Sequence, residues 1–394
     1  MDTLLGMRRY GVYFWQIVLF LWVIGVVYIR QSTRLAVPYV LRILSHPVIA
    51  WGIFYVGISV LSLGVSYNGD FALQGIRYAV STAIIVGTAA VAFAPPMRPS
   101  GLQTEAGPLA LCMLVVACVS LFLDPIVDFR GRLGMDLVSA YDRTRAGGIF
   151  LQPNLAGSAV PFLLATVMVR VRPAFRLVCV ILSIAAVVLT FSRAGLLMVV
   201  LVISMGYLRG YLPRVWTFIA VLACALTLAQ FQSSVVVEEV FHVDEGNGLA
   251  RLTRADDYVS REALSSDVRG DLARAAWNDA LREPFIGSGV GYSWLWTDRQ
   301  HAGTHNIYLR HMLEYGLLGA LLWPLFLWAL YRARNRALDR TWVVGVLATA
   351  FIAGMFSHNL TEQGAFLVPL MGAISLPASA RWGRRASDPG PEPS

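Results

Sequence analysis

Residues 268–319 read VRGDLARAAWNDALREPFIGSGVGYSWLWTDRQHAGTHNIYLRHMLEYGLLG, and the stretch changes character twice. Its first part is polar with a helical period. A glycine turn from Pro284 to Gly291 follows, and the pair His305-Asn306 then opens an apolar run that continues to Leu330. A run of that length can cross a hydrocarbon core of about 30 Å. A chain that leaves water must satisfy its own backbone polar groups, so the run is a helix. At 100° per residue the polar part places Asp267, Asp271, Arg274, Asn278 and Arg282 on one face as a solvated stripe. The stretch thus joins an amphipathic surface helix to a membrane helix, and polar chemistry belongs at the join.

The rest of the 394 residues is of the same kind. Hydrophobic residues make up 57% and charged residues 14%, with mean hydropathy +0.61, outside the balance of soluble domains. Further apolar runs fall at 13–29, 48–65, 73–93, 109–123, 155–169, 177–191, 195–208, 215–231, 342–356 and 364–376. With the short piece 35–44 they predict an all-α, polytopic membrane protein of about twelve transmembrane helices. The formal charge of +8 is carried by Arg alone, since the chain has no Lys. Clusters at Arg170, Arg172 and Arg176, at Arg209 and Arg214, at Arg332 to Arg340 and at Arg381 to Arg385 are separated by even numbers of spans. All can lie in the cytoplasm, and twelve crossings put both termini there too. Such a charge pattern sets topology and meets anionic membrane lipids, and gives no ground for nucleic acid.

The opposite face then carries 124–148, the corner Ser192-Arg193, the loop 232–303 and the short 357–362. That loop holds twelve acidic residues and seven Arg, and its length predicts amphipathic helices lying over the bundle. The expected organisation is an N-terminal transmembrane bundle over 1–231, an outer loop over 232–303, C-terminal transmembrane helices over 304–380 and a disordered tail over 381–394. The run 13–29 follows Arg8-Arg9 without a small-residue cleavage site and is expected to remain as a signal anchor. Cys112, Cys118, Cys179 and Cys224 sit in apolar runs and read as small buried hydrophobes.

Several polar residues stand out against this background. Arg269 falls in the middle of the apolar face of its helix, among Leu272, Ala273, Ala276 and Ala280. A guanidinium there must find an anion, pair with a carboxylate or snorkel to water. Arg193 sits between two apolar segments with no acid in its local sequence, a functional position by default. His305 can take or hold the proton of a hydroxyl near neutral pH, or simply meet interfacial water. Asn306 is placed to cap the helix that follows. In GIFLQPNLAG, residues 148–157, Gln152 and Asn154 stand at the outer mouth of a helix, with Pro153 at its start. His358 and Glu362 fall on the same side, either as a second polar contact or as an interfacial cap. Two guanidiniums and one imidazole suffice to move a group off a diphosphate: the cations take the leaving-group charge and the base readies the acceptor. No sequence pattern of metal-ligand spacing lies near them, so the expected mechanism uses no metal and no cofactor. Gly287, Gly289 and Gly291 follow no predicted strand, so a nucleotide loop fails. They are expected to let the chain pass close to the membrane surface.

At QPNLAG (152–157), TFSRAG (190–195), the Arg269 helix with REPFIGSGVG (282–291), and THNIYLRHMLEYGLLG (304–319), the sequence resembles the O-antigen ligase and polymerase superfamily, the Wzy-C group. The resemblance implies a GT-C-like fold in the bacterial inner membrane, with a periplasmic site at which a glycan leaves undecaprenyl diphosphate. By match, Arg193 and Arg269 would bind the diphosphate and His305 would activate or orient the acceptor hydroxyl. Gln152, Asn154, Asn306 and His358 would complete substrate binding. Family members often carry an aromatic residue four positions after the Arg at 269; here that position is Ala273, with Trp277 one turn later. The chain length favours a ligase whose acceptor is the lipid A core over a protein-glycosylating member. Two alternatives remain: a polymerase extending carrier-linked repeats, and a lipid-linked glycan transporter, which would place its polar groups near the midplane.

Overall fold

Several helices begin in this chain at a proline or directly after an extended polar cap. Pro47, Pro153 and Pro173 take the first helical positions, where a missing N–H costs nothing. Ser192 and Asn306 cap by accepting backbone amides through their side chains. The computed structural model describes residues 44–93, 100–129, 145–212, 266–300, 303–357, 360–362 and 364–376. Among the described residues the ordered structure is helical throughout. We number the helices α1 Pro47–Leu61, α2 Gly69–Phe93, α3 Ser100–Val127, α4 Pro153–Met168, α5 Pro173–Leu189, α6 Arg193–Leu208, α7 Ser266–Ala280, α8 Tyr292–Gln300, α9 Ile307–Ala333, α10 Arg340–Gly354 and α11 Gly364–Ser375.

Among the described residues four stretches are long and apolar enough to cross a membrane: Pro47–Val65, Gly69–Phe93, Gly107–Val127 and Ile307–Ala333. Helices α4, α5, α6, α10 and α11 are apolar but shorter. The expected twelve crossings also draw on 13–29, 35–44 and 215–231, of which only Leu44 is among the described residues. Within 232–303 the described part forms two short polar helices, α7 and α8.

The residues group into two units. One contains the described residues within 1–98, 261–334 and 350–371. In it α1 packs between α2 and α9, the indole of Trp51 donating to the Leu322 carbonyl at 2.9 Å. Trp323, Phe326 and Phe366 fill the core behind it. The other unit contains the described residues within 99–260, 335–349 and 372–394. Its centre is α4, buried from Ala156 to Met168 and packed by α3, α5 and α6. A helix apolar on all sides is a core element.

Outward faces are apolar as well. Ile53 and Phe54 on α1, Met113 and Val116 on α3, Val178 and Ile181 on α5, and Leu317 and Leu321 on α9 are all exposed. Apolar surface on this scale fits a lipid environment. Cys112 lies on the exposed face of α3, whereas Cys118 and Cys179 are buried; the expectation that all four cysteines are buried fails at Cys112, because the lipid-type face of α3 needs no burial in protein.

Candidate active site

Three helix starts share one backbone signature. Leu151, Phe191 and His305 have φ of 62°, 47° and 49°. They are three of the four non-glycine residues at positive φ among the described residues. Each is followed by an extended N-cap, namely Gln152 (φ −126°, ψ 121°), Ser192 (φ −97°, ψ 105°) and Asn306 (φ −144°, ψ 118°). The helix begins at the next residue. A left-handed non-glycine residue costs about 1–3 kcal/mol and collects at functional sites. The three turns are those the sequence singles out, QPN, FSR and HNI.

Two of these starts meet in the unit built on α4. A Cβ on Gly195 would lie 2.7 Å from the Gly157 carbonyl oxygen, and one on Gly157 would lie 2.7 Å from the Ser192 Cβ. Only glycine at both positions lets α4 and α6 touch backbone to backbone in their first turns. Ser192 Oγ accepts the Gly195 amide at 3.2 Å, leaving Arg193 exposed as the first residue of α6. Gln152 and Asn154 are exposed at the start of α4. Two helix N-termini brought this close sum their partial positive charges, a setting that favours an anion.

The residue that ties them together is Arg145, which sequence reasoning missed. It is buried; its Nε donates to the Thr190 carbonyl at 3.1 Å and its Nη2 to the Asn154 Oδ1 at 2.8 Å. The Ala146 amide donates to the Leu189 carbonyl at 2.9 Å, and the Gly147 amide to the Asp124 Oδ2 at 2.6 Å. Gly148, at φ 53°, passes so close to Ser120 that a Cβ would clash with its hydroxyl. The only hint in sequence was an Arg directly before Ala-Gly-Gly, next to a segment already marked as the mouth of α4.

The third start belongs to the other unit. Asn306 Oδ1 accepts the Tyr308 and Leu309 amides at 3.0 and 3.2 Å, so the expected cap forms. Thr304 Oγ1 donates to the Asn306 carbonyl at 3.0 Å and helps fix His305, which is partly buried. Helix α7 lies against α9 and α8 through Ala276, Ala280, Trp296, Met312 and Leu313. Arg269 lies on α7 seven and eleven residues before Ala276 and Ala280, which is the register of the packed face; its side chain lies outside the described residues. The opposite stripe is solvated as expected, with Asp271 and Arg274 paired at 3.2 Å on the surface. Tyr292 of α8 donates to the Asp279 Oδ2 at 2.8 Å. Burial, helped by that bond, pushes its phenol up to about 12. His358 lies outside the described residues.

The glycine turn packs against protein backbone. Helix α9 breaks at Gly316, whose φ of 64° and ψ of −151° are open essentially to glycine alone. The break interrupts the helical ladder, and the turn from Pro284 supplies the missing partners. Ser288 and Gly289 amides donate to the Leu313 and Glu314 carbonyls at 2.9 and 3.1 Å, and the Leu317 amide donates to the Pro284 carbonyl at 2.8 Å. Gly287, Gly289 and Gly291 take φ of 73°, 89° and 82°. A Cβ on Gly287 would meet the Gly316 nitrogen at 2.5 Å, and one on Gly289 would meet Ser66 at 2.6 Å. Gly287 lies against the kinked α9, whereas Gly289 and Gly291 lie against Ser66 and Phe71.

Beside this turn lies a buried polar cluster that sequence reasoning also missed. Arg310 and Glu314 are one turn apart on α9, 4.0 Å from each other and both buried. Ser293 bridges them, accepting from the Arg310 Nε at 3.2 Å and donating to the Glu314 Oε1. Arg310 also lies over the Trp294 ring, 5.4 Å from its centroid. Its sequence signal was an Arg and a Glu four apart inside an apolar helix, where an unpaired charge is costly.

No curated protein matches the chain. Residues 178–323 match the family model Wzy_C, described as O-antigen ligase; the match spans Arg193, α7 and His305, and over this segment the chain is similar to that family.

Proposed function

We propose that the chain is an O-antigen ligase, a glycosyltransferase of the bacterial inner membrane with its site on the periplasmic side. The donor is a glycan on undecaprenyl diphosphate, and the acceptor is a sugar hydroxyl of the lipid A core. The observation that carries the reading is the junction of α4 and α6, where Arg193 and Asn154 stand at two touching helix N-termini held by Arg145. Such a place suits phosphate oxygens: helix ends and guanidiniums both favour a doubly charged group, and neither needs a metal to do so.

In the proposed reaction His305 accepts or orients the proton of the acceptor hydroxyl. The acceptor oxygen bonds to the anomeric carbon as the bond from that carbon to the diphosphate oxygen breaks. The electron pair leaves with undecaprenyl diphosphate, and Arg193 and Arg269 stabilise the charge it gains. Gln152, Asn154, Asn306 and His358 contribute to holding the substrates. General-base help is worth about 10²–10⁴-fold, and loss of one charge-stabilising group about 10²–10³-fold.

The test is transfer by the purified protein in lipid nanodiscs, given carrier-linked glycan with either lipid A core or further carrier-linked repeats as acceptor. Attachment to lipid A core, lost in Arg193→Ala and His305→Ala, is expected. Extension of repeats with no modification of lipid A core would assign the protein to polymerisation instead. Intact transfer in both variants would end the enzymatic assignment of these residues.

A further inference from the structure

Helix α9 has 27 residues, a length of about 40 Å, roughly 10 Å more than a hydrocarbon core. The surplus lies at its His305 end. From Arg310 to Gly316 the helix is buried in protein and carries the Arg310–Glu314 pair. Its exposed apolar face begins only at Leu317 and Leu318 and continues through Leu321 to Trp328. Arg332 lies over the Trp328 ring at 5.5 Å, the aromatic and cationic pairing found at a membrane boundary. The lipid band on α9 therefore starts at the kink.

The glycine turn sits at that same height, since the Leu317 amide bonds to the Pro284 carbonyl. At its tip Phe285 and Ile286 are 76% and 62% exposed. Its backbone is fixed by the glycines that dock on α9, so these side chains cannot fold back into the core. The exposed apolar strip continues along one flank of α7 through Trp277 and Leu281, while Arg282, Arg274 and Asp271 keep the polar stripe in water. A helix with a polar face, a Trp and an apolar flank that runs into a lipid-facing surface is an interfacial helix.

We infer that the Phe285-Ile286 tip and the Trp277–Leu281 flank of α7 are seated among the acyl chains of the leaflet at the His305 end of α9. The turn acts as a depth gauge. It fixes α7, the helix that carries Arg269, at the height of the lipid headgroups. The inference rests on the membrane-helix reading of α9 and is independent of the reaction the protein performs.

The test uses the full chain with its four cysteines replaced by alanine, reconstituted in nanodiscs of phosphatidylethanolamine and phosphatidylglycerol. Phe285→Cys and Ile286→Cys are spin-labelled, with Leu321→Cys as a lipid-facing reference and Arg282→Cys as a water-facing one. The expected result is a ratio of oxygen to nickel-chelate accessibility at 285 and 286 that matches 321 and exceeds 282 several-fold. A ratio equal to that at 282 overturns the inference, and so does shielding from both reagents, which would mean that protein covers the tip. A second measurement leaves the cysteines in place: benzoylphenylalanine introduced at position 285 should crosslink to phospholipid, and crosslinking only within the chain overturns the inference.

Discussion

Replacing Arg145 by Met keeps the length and apolar stem of the side chain and removes its donors. The bonds to the Thr190 carbonyl and to the Asn154 Oδ1 are lost. Thr190 is fully buried, so its stranded carbonyl is expected to cost about 1–3 kcal/mol. Asn154 is exposed; water can replace the guanidinium there, and the net loss is about 0.5–1.5 kcal/mol. The sum is about 1.5–4.5 kcal/mol, a fall in melting temperature of about 3–18 °C at about 2–4 °C per kcal/mol for a unit of this size. Thermal melts of the purified protein in nanodiscs read the total. A double-mutant cycle with Asn154→Ala isolates the part that runs between the two side chains, expected at about 0.5–1.5 kcal/mol. Arg145→Lys keeps the charge but not the two-pronged reach and should fall between Met and the native protein. An Arg145→Met protein that melts with the native one, or a cycle that is strictly additive, would refute the assignment of Arg145 as the clasp between α4 and α6.

Two further outcomes follow from the same geometry. Gly195→Ala inserts a Cβ 2.7 Å from the Gly157 carbonyl oxygen, so α6 must move away; a destabilisation of about 1–3 kcal/mol is expected, with glycan transfer reduced at temperatures where the protein is still folded, and an unchanged melt would show that the helices have slack. Asn306→Ala removes the acceptor for two amides and should cost about 0.5–2 kcal/mol, whereas Asn306→Asp keeps the cap and the melting temperature; transfer lost in both would assign the amide group itself to substrate.

Much of this was legible in the sequence because periodicity and caps are local. Pro153, Ser192 and Asn306 mark helix starts through their own chemistry, and each start lies within two residues of the expected apolar run. The packed register of α7 was equally plain, since residues seven and eleven apart share a face whatever they pack against. What could not be read was the partner of each feature. Gly287, Gly289 and Gly291 announced tight backbone, but that Gly287 is tight against a kink at Gly316, and the other two against Ser66 and Phe71, depends on approaches between elements far apart in sequence. Arg310 and Glu314 stand inside an apolar helix, and nothing in the local sequence pairs them with Ser293 and Trp294. Arg145 gave still less warning: its partners, Asn154 and Thr190, are 9 and 45 residues away.

The family match begins at residue 178, yet half of the α4–α6 junction comes from residues before it. Arg193 and the Thr190 carbonyl lie inside the matched segment, while Arg145, Asn154 and Gly157 do not. The outer half reaches in through contacts that tolerate little change: a glycine pair with no room for a methyl group and a buried guanidinium with two named acceptors. Strain at Leu151 and Phe191 lies on both sides of the same junction, and strain of that kind persists only where the surroundings hold it in place. The proposed diphosphate site is thus a product of two segments that must fold onto each other before either helix start is positioned. Substitutions at Arg145 or Gly157 should therefore disable Arg193 without touching it, and chemistry assigned to the matched segment depends on residues that lie outside it.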